Sequence, residues 1–99
     1  MKLYIDTSDN RKIVVGLDQD LYETATTDKS QKLLYVINEM LLKKNVSIKE
    51  ISYIEVNMGP GSFTGLRVGV TVASAIGWVL GVPVNGKDMR KGEIIDITY

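Results

Sequence analysis

Ile51-Ser52-Tyr53-Ile54-Glu55-Val56-Asn57-Met58-Gly59-Pro60-Gly61-Ser62-Phe63-Thr64-Gly65-Leu66-Arg67-Val68-Gly69 decides how this chain folds. An alternating apolar run, Ile51 to Asn57, reads as a strand. The Gly-Pro-Gly-Ser break ends it, and a helical period follows from Thr64 to about Leu80. Gly81 then suits a helix C-terminal position and Pro83 a stop. Val82-Pro83-Val84 is expected to open a fifth strand, which makes this stretch a strand-helix-strand unit with parallel pairing.

Upstream, Lys2 to Asp6 alternates as a first strand. Lys12 to Leu17 is a second, rich in β-branched residues, and Leu21 to Thr27 a third. Short polar turns join them, so an antiparallel meander is expected. Ser30 to Lys44 carries the first helix, capped by Asp28 or Ser30, with Leu33, Leu34, Val36, Ile37, Met40 and Leu41 on its core face. Lys43 and Lys44 suit its C-terminal dipole. The polar segment Ser47 to Glu50 resembles a short turn. The order βββαβαβ predicts an α/β fold, a mixed sheet with two helices against it. By analogy this is the ribonuclease-H-like or actin-like (ASKHA) half-fold. Residues 1–86 form the expected domain. Lys87–Tyr99 is a short C-terminal tail, with Ile94 to Tyr99 as an edge strand or docked segment.

Composition narrows the chemistry. The 99 residues hold 12 Lys+Arg and 12 Asp+Glu, so formal net charge is zero, and residues 51–86 contain only Glu55 and Arg67 as charges. Direct phosphate-backbone recognition of tRNA is not expected from so few cations on one face. Cysteine and histidine are both absent, which removes thiolate and imidazole nucleophiles and the commonest metal ligands. No metal site and no catalytic residue are assigned. Val68 to Gly86 lacks charge over nineteen residues, but its four glycines, Pro83 and Asn85 favour a buried helix plus strand over a membrane span. No membrane association and a cytoplasmic location are expected.

Three groups of residues are candidates for function. Asp6 and Thr7, with Gly59, Gly61, Ser62 and Thr64, could contact an anion or nucleotide where a strand meets a helix N-terminus. Glycine turning and helix capping by Ser62 or Thr64 account for the same residues without a ligand. Gly65, Gly69, Ala73 and Gly77 recur every four residues. They make a flat stripe for close packing, against a partner or against this domain itself. Arg67, Thr71, Ser74 and Trp78 share one side of the second helix, opposite Val68, Val72, Ile76 and Val79, and Gln31, Tyr35, Asn38 and Leu42 share one side of the first. Large apolar groups and Arg within polar surroundings have the composition of protein–protein interfaces.

The run Gly59 to Gly69 resembles the signature of the TsaB (YeaZ) family. The likeness extends through Ile5-Asp6-Thr7-Ser8, Ser30-Gln31-Lys32-Leu33-Leu34 and Gly81-Val82-Pro83-Val84. Such a member is expected to be a non-catalytic scaffold in bacterial tRNA threonylcarbamoyladenosine formation. It would bind and activate a TsaD-like catalytic subunit through its two helices. A TsaE-like ATPase would complete the assembly, and a second copy would take TsaD's place when TsaD is absent. ATP and magnesium would enter only through those partners, and tRNA only indirectly. Alternative readings are a small nucleotide-binding ASKHA domain and a self-associating homodimer. Members of this family are about twice this length, with a second actin-like lobe, so the chain resembles a shortened form. It also has Lys29-Ser30 where His-Ser or His-Thr is common, and Asn57-Met58 where Arg-Gly often stands.

Overall fold

The computed structural model describes residues 1–98. Strands β1 (Lys2–Asp6), β2 (Lys12–Leu17) and β3 (Asp20–Ala25) precede helix α1 (Lys29–Lys44). Strand β4 (Tyr53–Val56) and helix α2 (Phe63–Leu80) follow, with single 3-10 turns at Ile48–Glu50 and Met89–Lys91. The sheet runs β3-β2-β1-β4. β1 pairs antiparallel with β2 (Leu3 opposite Leu17) and parallel with β4 (Leu3 beside Ile54), and β2 pairs antiparallel with β3. This is the expected mixed α/β sheet.

Both helices cover one face. Leu3, Ile5, Ile13, Val15, Ile54 and Val56 point into a core closed by Leu33, Val36, Ile37, Met40 and Leu41 of α1 and by Leu66, Val70 and Ala73 of α2. Strand residues of the other parity line the opposite face with polar pairs. Lys2 Nζ lies 2.9 Å from Glu55 Oε1, and Lys12 Nζ 2.8 Å from Glu23 Oε1. Exposed pairs of this kind contribute little to stability.

The strand expected after α2 does not form. Only Val84 bridges Ile54 in parallel. Pro83 has no N–H to offer, and Asn85 and Gly86 adopt φ of 51° and 79°, which turns the chain at once. A side chain continues the ladder instead. Ile54 N donates to Pro83 O and Asn85 N to Ile54 O, both at 2.9 Å. One residue further, Val56 N donates to Asn85 Oδ1 and Asn85 Nδ2 to Val56 O, also at 2.9 Å. The primary amide of Asn85 thus imitates one backbone unit of the missing strand and satisfies the β4 edge.

The tail is docked rather than strand-like among the described residues. Ile95 is buried, Thr98 N donates to Met58 O at 2.7 Å, and Arg90 reaches the end of α2 through Nε to Trp78 O (2.7 Å) and Nη2 to Val79 O (2.8 Å). A guanidinium on the last carbonyls of a helix satisfies acceptors that have no intrahelical partner. Tyr99, part of the expected edge strand, lies outside the described residues.

The helices also differ from expectation. α1 begins at Lys29 with Asp28 at the capping position, but no side chain caps it. Leu34, expected in the core, is exposed. On α2, Val68, Val72 and Ile76 are only half-buried and Val79 is 65% exposed, so they are not the core face. The inward face is the small-residue stripe. Gly65, Gly69, Ala73 and Gly77 are all buried. At Gly69 an added Cβ would collide with the hydroxyl of Thr7, which is fully buried and donates to Gly65 O. By length and composition alone α2 could cross a membrane. In this fold Gly65 and Gly69 of its stripe lie against Thr7, just after β1, and Gly77 lies against Val84.

Two outcomes test this packing. Asn85→Ala should lower stability by about 1–3 kcal/mol, read as a shifted urea midpoint with unchanged slope, because it strips two edge groups and leaves a non-glycine residue at positive φ. Asn85→Asp, which keeps the acceptor and loses the donor, should fall between. Gly69→Ala gains helix propensity of about 1 kcal/mol but overpacks Thr7, so a net loss of about 1–2 kcal/mol is expected. Thr7→Ala combined with Gly69→Ala should cost clearly less than the two losses added, and strict additivity would disprove the contact.

Candidate functional site

α1 and α2 lie on the same sheet face, α1 over β2 and α2 over β1 and β4; Tyr35 lines a groove with β3 on one flank, and Trp78 a recess with Met89, Ile94 and Ile95 of the tail on the other. On α1, Gln31, Tyr35, Asn38 and Leu42 are exposed, Tyr35 at 60% and Leu42 at 67%. On α2, Arg67 and Thr71 are exposed, Ser74 is half-buried and Trp78 is 58% exposed. The indole is therefore not a core group. Arg90 covers part of it, its guanidinium carbon 6.0 Å from the ring centroid. A groove of about 420 Å3 lies along the start of α2, lined by Phe63, Thr64, Arg67, Val68, Thr71 and Val72, with Ser30 of α1 beside it. The guanidinium carbon of Arg67 stands 5.5 Å from the centroid of Phe63, within cation–π distance.

Three exposed apolar residues of this surface escape a reading by sequence: Leu34, Phe63 and Val79. Extending the Arg67-Thr71-Trp78 stripe one turn back, to Arg67 minus four, reaches Phe63. The placement of Leu34 and Val79 depends on how each helix is rotated against the sheet.

The strand-to-helix loop is built mainly for folding. The Asp6 carboxylate accepts from Ser8 N (2.9 Å), Ser8 Oγ (2.6 Å) and Tyr4 Oη (3.3 Å). Burial pushes its pKa up, but these bonds and the nearby Asn57 amide outweigh burial and hold it below the usual carboxylate value. Burial, the Asp6 charge and that same bond push the Tyr4 phenol up to about 12. Asp6 is thus engaged by its own turn. Thr7, a candidate anion contact, is sealed in the interior and bonded to Gly65 O, which removes it from that role. Gly61 lies against the first turn, where a Cβ would stand 2.6 Å from Ser8 Cβ, and Ser62 N donates to Ser8 O at 2.8 Å. Gly59, joined to Pro60 by a cis bond, passes beneath Thr98. Ser62 caps α2, its Oγ accepting from Gly65 N at 3.3 Å, while Thr64 is exposed in the first turn. Among the described residues no three Asp or Glu side chains come together to hold a metal ion.

Residues 22–86 match the family model described as TsaD: tRNA N6-adenosine threonylcarbamoyltransferase. The chain is 30% identical over 88 residues to the tRNA threonylcarbamoyladenosine biosynthesis protein TsaB of Buchnera aphidicola subsp. Schizaphis graminum, covering 85% of this chain and 42% of that protein. It is 33% identical over 88 residues to TsaB of Bacillus subtilis, covering 84% of this chain and 38% of that one. YeaZ from Pseudomonas aeruginosa shares the fold, with a TM-score of 0.74 at 24% identity over 84% of this chain and 42% of the solved one. The chain spans about two fifths of the length of the curated relatives it matches. The family model covers more than half of the chain, so the chain belongs to the family described as TsaD: tRNA N6-adenosine threonylcarbamoyltransferase, and TsaB and YeaZ proteins are among those it is similar to.

Proposed function

We propose that this chain is a non-catalytic scaffold in the formation of threonylcarbamoyladenosine on tRNA, docking on a TsaD-like catalytic subunit through the outward faces of α1 and α2. One observation carries this reading: Tyr35, Leu42, Phe63 and Trp78, all more than half exposed, stand on two adjacent helices. Large apolar side chains left exposed on helices are candidates for contact with another subunit. The family supplies the identity of the partner. Arg67, exposed and within cation–π distance of Phe63, would meet a carboxylate across the contact. With no histidine or cysteine and its best-placed carboxylate tied into its own turn, the chain has no evident general base or nucleophile. ATP and magnesium belong to the partners in this proposal, including a TsaE-like ATPase. The complex is cytoplasmic, and tRNA is met through the catalytic subunit. Alone, the chain pairs with a second copy through the same surface.

Calorimetric titration into a TsaD-like subunit tests the proposal. Trp78→Ala and Tyr35→Ala should each weaken association by about tenfold or more, as interface anchors do. Their unfolding midpoints should stay within about 0.5 kcal/mol of the parent, as expected for exposed positions. Unchanged affinity in both folded variants, or a homodimer in light scattering that persists in excess TsaD-like subunit, would overturn it.

A further inference from the structure

Lys29 has no role in the docking surface, and its environment is unusual. Only 6% of the residue is exposed, and no hydrogen bond or ion pair engages its ammonium among the described residues. Lysines are seldom buried this far without a partner. Its stem runs beside the first turn of α2, where a Cβ on Gly65 would stand 3.3 Å from Lys29 Cδ. Its Nζ is not sealed in the interior, and Lys29 is one of the residues that line a recess of about 210 Å3. Snorkelling along apolar surface explains its buried stem.

The recess lies where two helices start. Asp28, Lys29 and Ser30 of the α1 start line one side, and Ser62, Thr64 and Gly65 of the α2 start line the other. The Ser30 and Thr64 hydroxyls, and the backbone amides of both residues, have no partner among the described residues. First-turn amides lack intrahelical acceptors, and the two positive dipole ends add to the charge of Lys29. Two carboxylates oppose it. Asp28 stands in the lining, and the charge of Asp9 draws the lysine pKa back up against burial, which keeps it lowered. Neither pairs with the ammonium.

We propose that this recess binds a small phosphorylated molecule, its phosphoryl group held by Lys29 Nζ, the Ser30 and Thr64 hydroxyls and the open amides of both helix starts. The donor set is richer than a carboxylate can use, whereas a phosphoryl group offers three acceptor oxygens and nearly two charges. The volume is below the roughly 300–1,000 Å3 of pockets that enclose a whole drug-sized ligand. The recess therefore takes the phosphoryl end, with the rest of the molecule outside. None of the docking anchors lines this recess, so the proposal does not depend on the docking surface.

Amide NMR spectra of the full chain, titrated with inorganic phosphate at constant ionic strength, test it. Saturable shifts centred on Ser30, Thr64 and Gly65 are expected. Lys29→Met, which keeps an apolar stem, should weaken phosphate binding by about tenfold or more, and Trp78→Ala should leave it unchanged. Acetate should bind more weakly than phosphate, and equal binding would overturn the phosphoryl assignment. Should Lys29→Met not fold, the Lys29 side-chain signal in the parent chain decides: bound phosphate must raise its pKa. Shifts that do not saturate, equal phosphate affinity in a folded Lys29→Met chain, or a Lys29 pKa indifferent to phosphate would each overturn the proposal.

Discussion

The hydroxyl of Thr7, buried at the end of β1, donates to the carbonyl of Gly65 in the first turn of α2. Much of the architecture follows from that bond. It draws the helix backbone toward the first strand, and the approach leaves no room for side chains on the facing stripe. Gly65 and Gly69 are the residues that meet Thr7, and Ala73 and Gly77 continue the buried stripe beyond it. A helix that buries its smallest residues must turn its bulk elsewhere. Phe63, Trp78 and Val79 are accordingly exposed, and Val68, Val72 and Ile76 only half-covered. The outward apolar surface is therefore a geometric consequence of how α2 sits on the sheet. One constraint shapes both the interior contact and the face offered to another subunit.

The far end of α2 is managed by different chemistry. Gly77 lies against Val84, which brings residues 83–85 beside β4. Proline and a left-handed asparagine prevent a strand there, yet the β4 edge is not left open, because the Asn85 amide supplies the donor and acceptor that a further residue would have given. Arg90 then closes the helix by binding the carbonyls of Trp78 and Val79. A short chain thus satisfies a sheet edge and a helix end with two side chains rather than with another layer of secondary structure.

Much of this was legible in the sequence, and the exceptions share a cause. The order of elements from β1 to α2 and the antiparallel meander follow from local periodicity, whereas the parallel pairing expected between the fourth and fifth strands is made instead by β1 and β4. The exposure of Tyr35, Leu42 and Trp78 follows from helical spacing. Leu34 was misplaced because periodicity says which residues share a side, not which side is pressed inward. On α2 the buried side joins the small-residue stripe to Leu66 and Val70, with Val68, Val72 and Ile76 half-buried beside it and Val79 exposed. The missing fifth strand is the same kind of exception. Val82-Pro83-Val84 has strand character, but Asn85-Gly86 ends it before a second ladder bond can form.

Lys29 shows where local reading stops altogether. In sequence it is one cation ahead of a serine in a polar loop, with nothing to separate it from the lysines that close α1. In the fold, Lys44 finds Asp20 at 2.7 Å on the surface, while the stem of Lys29 is drawn under the start of α2 and its ammonium pairs with no carboxylate among the described residues, although Asp28 lines the same recess and the charge of Asp9 reaches it. Burial penalises a charge unless something nearby compensates it, and beside those carboxylates stand hydroxyls and amides with donors to spare. A phosphoryl anion, with three acceptor oxygens, would engage the lysine and those donors together, whereas a carboxylate, with two, would leave part of the set unused.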